Sequence, residues 1–219
     1  MLLIYLKLIK SYFEIMQEND AYYTIKNPSK EILFKDKNSK FYGYAFPVLN
    51  EDDIAIHIGH LKKQHHAARH WCYAYQIGTE TIKFRANDDG EPNNSAGQPI
   101  YGQIQSFNLT NILIVVVRYF GGVKLGVGGL IQAYKTTAKM AIEASTVIEK
   151  TINREFLIIF DYKNMNKVMR IIKEKQLKII NQKLELDCEI LISVRKKDAQ
   201  AIFELFNQLY EIKIKSLND

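Results

Sequence analysis

Between Arg118 and Tyr134 the chain reads RYFGGVKLGVGGLIQAY, which places Gly121, Gly122, Gly126, Gly128 and Gly129 directly after the apolar run Ile112 to Val117. Glycine is required where the backbone takes positive φ or where another group approaches the main chain closely, and a cluster between a strand and a helix can serve both needs. A helix starting there directs free N–H groups above the strand end. Arg118 and Lys124 flank the turn, and Lys135 and Lys139 fall on the polar face of the following helix, so the chemistry on offer is anion binding, above all of phosphate. The architectural alternative is that the glycines only let the helix pack tightly across the sheet. Known nucleotide motifs do not match. Gly121 and Gly126 have P-loop separation, but Val127 and Gly128 stand where Lys and Ser/Thr are required, and the spacing is not GxGxxG. Neither an NTPase nor a dinucleotide enzyme is expected.

Three other groups carry chemistry. Asp88, Asp89 and Glu91, interleaved with Gly90 and followed by Pro92, gather carboxylates that suit Mg²⁺ or acid/base work, or that keep a Gly-Pro turn in water. A third role is open to them: lying against Arg118 or the glycine turn and fixing its shape. All five histidines, His57, His60, His65, His66 and His70, fall in one helix and its exit, with His66 and His70 four apart, but no third ligand and no HExxH accompany them. No metal site is read from them, and no catalytic nucleophile or cofactor is expected anywhere. The row Trp71, Tyr73 and Tyr75 offers stacking to single-stranded RNA if that sheet face is bare; otherwise it is the buried face, with Cys72 and Ala74 outside.

The elements that must position these groups follow from periodicity. EILFK and KFYGYAFPV, joined at Asp36 to Ser39, predict a hairpin. Asn50 and the carboxylates of Glu51, Asp52 and Asp53 predict the start of a helix whose Ile54, Ile58, Leu61, His65 and Ala68 share a face. His70 to Ile77 alternates as a strand, and Ile82 to Arg85 repeats that period. A short helix is expected near Pro99, then a central strand, Ile112 to Val117, covered on both faces. Leu130, Tyr134, Thr137, Ala138 and Ala141 make the apolar stripe of a long helix. From Asn153 the order becomes β-α-β-β-α-β, the ferredoxin-like split unit, with a boundary at Lys150 to Asn153.

Composition adds limits. The 219 residues are 47% apolar, and a net charge of +6 is mild for a nucleic-acid binder and evenly spread. Cys72 and Cys188 lack disulfide or metal spacing, which fits a reducing, cytoplasmic setting. The opening MLLIYLKLIKSYFEIM is interrupted by Lys7 and Lys10 and is too short for a membrane span. Residues 1–15 are expected to be a non-native or disordered extension, with the first domain opening at Met16.

ARHWCYAY, NDDGEPNNSAGQP and VVVRYFGGVKLGVGGLIQAY, in that order along the chain, resemble the signature of the Impact/YigZ family. The resemblance implies an α+β protein of two domains. Residues 16–150 would form a β-sheet and two-helix domain with the fold of a domain of a small-subunit ribosomal protein. Residues 154–219 would form a ferredoxin-like βαββαβ domain similar to a module of translocating elongation factors. Eukaryotic relatives regulate translational initiation through the pathway that activates a starvation-responsive kinase, using an extra partner-binding domain with no counterpart read in this sequence. The chain departs from the family pattern at Asn93-Asn94-Ser95, where a Gly-Thr-like loop is expected, and at Tyr75, where Trp is common.

The resulting expectation is a translation-associated regulator that binds RNA or the ribosome and acts on initiation. Arg118, Lys124 and the glycine amides would engage phosphate, and Arg195, Lys196 and Lys197 would add an electrostatic arm. Two alternatives stay open: a metal-assisted hydrolase using Asp88, Asp89, Glu91 and a histidine, and a regulator that binds a protein partner without touching nucleic acid.

Overall fold

The computed structural model describes residues 20–217, and the extension expected at residues 1–15 lies outside them. The chain divides into two compact units, residues 22–150 and residues 151–217 together with Asp20 and Ala21.

The first unit is built on a five-stranded antiparallel sheet. Its strands are β2 (Ile32–Asp36), β3 (Ser39–Pro47), β4 (His70–Ile77), β5 (Lys83–Asn87) and β6 (Ile112–Tyr119), in the order β2-β3-β6-β4-β5. The β2–β3 hairpin closes through Lys37 and Asn38, both at positive φ (41° and 65°), which is the two-residue turn whose twist matches the flanking strands. Strand β6 occupies the centre. Its lack of alternation reflects two covered faces: Ile112, Ile114 and Val116 enter one core, and Leu113, Val115 and Val117 enter another.

Helices α2 (Gly97–Ser106) and α3 (Gly126–Glu143) cover the first face, burying Ile100, Ile104, Leu130, Ala133 and Tyr134 against it. Helix α1 (Glu51–Gln64) covers the second with Ile54 and Leu61. Asn50 caps α1 by accepting the Asp53 N–H at 2.9 Å, and three acidic residues in the first turn favour the positive end of the helix dipole. Helix α2 begins at Gly97, two residues before Pro99. A Cβ on Gly97 would lie 2.5 Å from the Asn87 nitrogen, so only glycine lets the helix start that close to β5. Strands β1 (Ala21–Ile25) and β7 (Val147–Thr151) pair as a separate ribbon, which the sequence reading did not anticipate.

The second unit has strands β8 (Asn153–Asp161), β9 (Lys178–Lys183), β10 (Asp187–Arg195) and β11 (Ile212–Ser216) in the order β11-β8-β10-β9. Helices α4 (Met165–Glu174) and α5 (Lys196–Asn207) complete the expected βαββαβ order. Phe156, Ile158, Phe160, Ile190 and Ile192 face both helices in one core. Asp20 groups with this unit because its buried carboxylate accepts two hydrogen bonds from Arg195, at 2.8 and 2.9 Å, and its carbonyl accepts the Ile152 N–H. Of the three residues expected to form an electrostatic arm, Arg195 is half of an internal ion pair. No helix among the described residues is long and apolar enough to cross a membrane.

Candidate anion-binding cleft

The acidic loop after β5 is a capping device. Asp88 Oδ1 accepts the N–H groups of Ala96 and Gly97 at 2.9 and 2.8 Å, and its Oδ2 accepts that of Asn94, satisfying donors at the start of α2. Asp89 turns the chain at φ 42°, takes the Trp71 N–H on its carboxylate at 2.7 Å, and offers its carbonyl to His70 Nδ1. With Gly90 at φ 86°, this reversal aims Glu91 inward.

Glu91 meets Arg118 below the glycine turn. Arg118 extends the face of β6 that carries Ile112, Ile114 and Val116, beside its cross-strand neighbours Phe41 and His70. Its Nη1 donates to Glu91 Oε1 at 2.6 Å, and the two residues are only 6% and 8% exposed. Tyr134, from α3, donates to the same oxygen at 2.8 Å, and Cys72 Sγ lies 3.3 Å from the Tyr134 hydroxyl. Burial pushes the Cys72 thiol and the Tyr134 phenol well above their ordinary pKa ranges, so both stay protonated and neutral. The guanidinium also lies near the rings of Phe41 and Phe120, at 5.5 and 5.6 Å from their centroids. One atom remains unserved: the buried Nε of Arg118 has no hydrogen-bond partner.

The glycine turn serves two structural ends. Gly121 stacks on the β2–β3 turn so closely that a Cβ would sit 2.0 Å from the Asn38 carbonyl carbon. Gly122 and Gly126 take φ of 87° and 74°, where L side chains are strained. Gly128 has neither reason, since it is not in the left-handed region and a Cβ there would touch nothing within 4 Å. Leu125, at the N-cap of α3, supplies no side-chain acceptor, and no acidic residue follows in the first turn. The first-turn N–H groups are therefore left to solvent or a ligand.

Above this helix end opens a cleft of about 370 Å³, lined by Glu91, Arg118, Phe120, Lys124, Leu125 and Val127 among others. Lys124 and Gly126 are exposed at it and Gly128 is exposed one residue beyond Val127, whereas Gly129 packs against Leu125. Lys135 and Lys139 continue an exposed row along α3 that begins with Val127 and Ile131, and Lys139 pairs with Glu143 at 3.6 Å. The turn, Lys124 and the acidic loop do converge, and Glu91 holds Arg118 through Nη1 as part of the cleft floor.

The aromatic row sits on the α1 side of the sheet, opposite Cys72 and Ala74, and both sides are covered. Tyr75 is buried and donates to Glu51 at 2.7 Å, and burial followed by that bond pushes its phenol up to about 12. Trp71 is half-buried, with Nε1 3.4 Å from the Leu61 carbonyl. Neither the bare stacking platform nor an outward-facing Cys72 is found. Tyr73, half-buried like Trp71, lines a groove with Lys62, Tyr75 and Arg85. Asp88, Asp89 and Glu91 point to separate donors, and no group of three potential metal ligands occurs among the described residues.

Sequence reasoning missed Tyr134 as a polar partner and Phe120 as part of the cleft. Phe120, Val123, Val127 and Ile131 are all exposed apolar residues around the turn. Their presence on what should be a polar face was the available signal.

The model of the Impact N-terminal domain matches residues 37–142, which hold every group of this cleft. YvyE, an IMPACT family member of Bacillus subtilis, is 32% identical over 189 residues, spanning 86% of this chain and 87% of the relative. This chain belongs to the IMPACT family. An IMPACT family member of Haemophilus influenzae is 30% identical over 181 residues, or 80% of this chain and 86% of the relative. The crystal structure of a hypothetical protein shares the fold of this IMPACT chain, with a TM-score of 0.67 at 22% identity, covering 91% of this chain and 98% of the other.

Proposed function

We propose that this IMPACT chain is a cytoplasmic, translation-associated regulator that binds RNA or the ribosome, acts on initiation, and makes its anion contact at the cleft above α3. The observation that carries the reading is the convergence on one opening of Lys124, an uncapped helix end and a buried guanidinium with an unpartnered N–H. Arg118 and Glu91 hold the floor in shape, the first-turn amides and Lys124 meet phosphate, and Lys135 extends the positive strip along α3. The family's resemblance to translation proteins supplies the biological setting.

Binding to purified ribosomes and subunits, measured across a salt series, tests this reading. The wild-type protein should bind with an affinity that falls as salt rises, and Lys124→Ala with Lys135→Ala should weaken binding and flatten the slope by about one unit per lost phosphate contact. Unchanged affinity and slope in the variant contradict it. The exposed apolar residues Phe120, Val123 and Val127 favour a second reading, in which the same face binds a protein component of the translation machinery. Binding that salt does not weaken and that Phe120→Ala abolishes would support that alternative.

A further inference from the structure

We propose that the cleft above α3 holds a nucleoside monophosphate, free or as the terminal residue of an RNA, with its phosphate at the first turn of α3 and its base against Phe120. This rests on the anion-binding reading of the same cleft and adds the class of ligand.

The floor calls for an acceptor. Arg118 is 6% exposed, lines the cleft, and leaves its buried Nε–H without a partner. Buried N–H groups are nearly always paired, so an orphan beside an opening marks the place of a missing acceptor. Glu91 Oε1 already accepts from both Arg118 Nη1 and Tyr134, and the cleft that Arg118 lines is where a ligand oxygen would serve Nε. A phosphate offers several oxygens, enough for Nε, the first-turn amides and Lys124 together.

Gly128 points the same way. Glycine inside a helix destabilises it relative to alanine, and neither positive φ nor crowding explains this one. It follows Val127, which lines the cleft, in the turn whose amides are uncapped, and its bare α-carbon leaves the backbone there open to approach. The cleft above is mainly apolar, walled by Pro92, Leu125, Val127 and Leu130, and the Phe120 ring is 54% exposed. A channel that only tracked phosphates would be polar along its length. Apolar walls beside one anion-holding end suit a flat base attached to one phosphate, and about 370 Å³ is room for a single nucleotide.

The test is titration of the full chain with AMP, with inorganic phosphate, and with a short RNA carrying or lacking a terminal phosphate. AMP should bind tighter than phosphate, and Phe120→Ala should weaken AMP about tenfold while leaving phosphate unchanged. Gly128→Asp adds a carboxylate where there is open space and where the helix dipole favours it, so it should fold normally and weaken both ligands about tenfold or more. AMP binding no tighter than phosphate, or insensitive to Gly128→Asp, overturns the proposal. Tighter binding of the phosphorylated RNA than of AMP assigns the ligand to a chain end, and the reverse assigns it to the free nucleotide. Ribosome binding with no AMP binding contradicts this inference alone, whereas AMP binding with no ribosome binding contradicts only the translation reading.

Discussion

Arg118 and Glu91 lie 27 residues apart in sequence and 2.6 Å apart in the fold, with both side chains buried beneath the glycine turn. Removing one partner leaves the other as an uncompensated buried charge. Glu91→Ala and Arg118→Ala should each lower the unfolding free energy by about 3–5 kcal/mol. The double variant should lose less than the sum of the two, with a coupling of about 1–3 kcal/mol. Urea denaturation of the four proteins measures both, and additive losses would show that the pair does not act as one unit.

Asp88 serves three backbone N–H groups at once. Asp88→Ala should cost about 2 kcal/mol or more through the lost cap and stranded donors, with Asp88→Asn recovering part of it. Hydrogen exchange should show the loosening concentrated at residues 94–97. A loss spread evenly over the unit would contradict the capping role.

The glycines of the turn should separate by substitution. Gly121→Ala drives a methyl group into the β2–β3 turn and should destabilise the unit by about 1–3 kcal/mol or more. Gly128→Ala meets nothing and should leave stability unchanged or raise it by about 0.5–1 kcal/mol. Thermal melts compare them directly, and equal destabilisation would mean that Gly128 has a structural reason after all.

His65 is buried between two tyrosines, with Nε2 2.6 Å from the Tyr44 hydroxyl and Nδ1 3.1 Å from that of Tyr119. Burial lowers its pKa despite the opposing pull of Glu31, and burial also lowers that of His57, which stacks on Phe46 at 4.2 Å. The unfolded chain then takes up protons near pH ~6.5 while the native state does not. Stability should be full above that pH and fall as pH drops from ~6.5 toward the lowered folded pKa values. Denaturation midpoints at several pH values check this, and His65→Gln should remove part of the decline. A midpoint that rises on acidification through this window would contradict the assignment.

Much of this architecture was legible because local patterns agree with the fold. The unbroken apolar run of β6 announced a strand covered on both faces, and the Asn50 cap with three acids announced α1. The site was less legible because its partners meet only through tertiary packing. Arg118 beside five glycines reads as a phosphate ligand, and nothing local shows that β6 turns it toward the core, where Glu91 waits. Tyr134 fits an apolar stripe equally well whether its hydroxyl is bonded or not. The row from Trp71 to Tyr75 has clear alternation, but alternation cannot say that a helix covers each side.

The most direct test of the central claim is ribosome co-sedimentation of Gly128→Asp beside the wild-type protein at low and physiological salt. The substitution leaves the Arg118–Glu91 floor intact and occupies open space at the helix start. If the cleft is the anion contact, the wild-type protein sediments with ribosomes in a salt-sensitive manner and Gly128→Asp loses that binding by about tenfold at unchanged melting temperature. Equal sedimentation of the two proteins at both salts would contradict the account and move the contact away from the cleft.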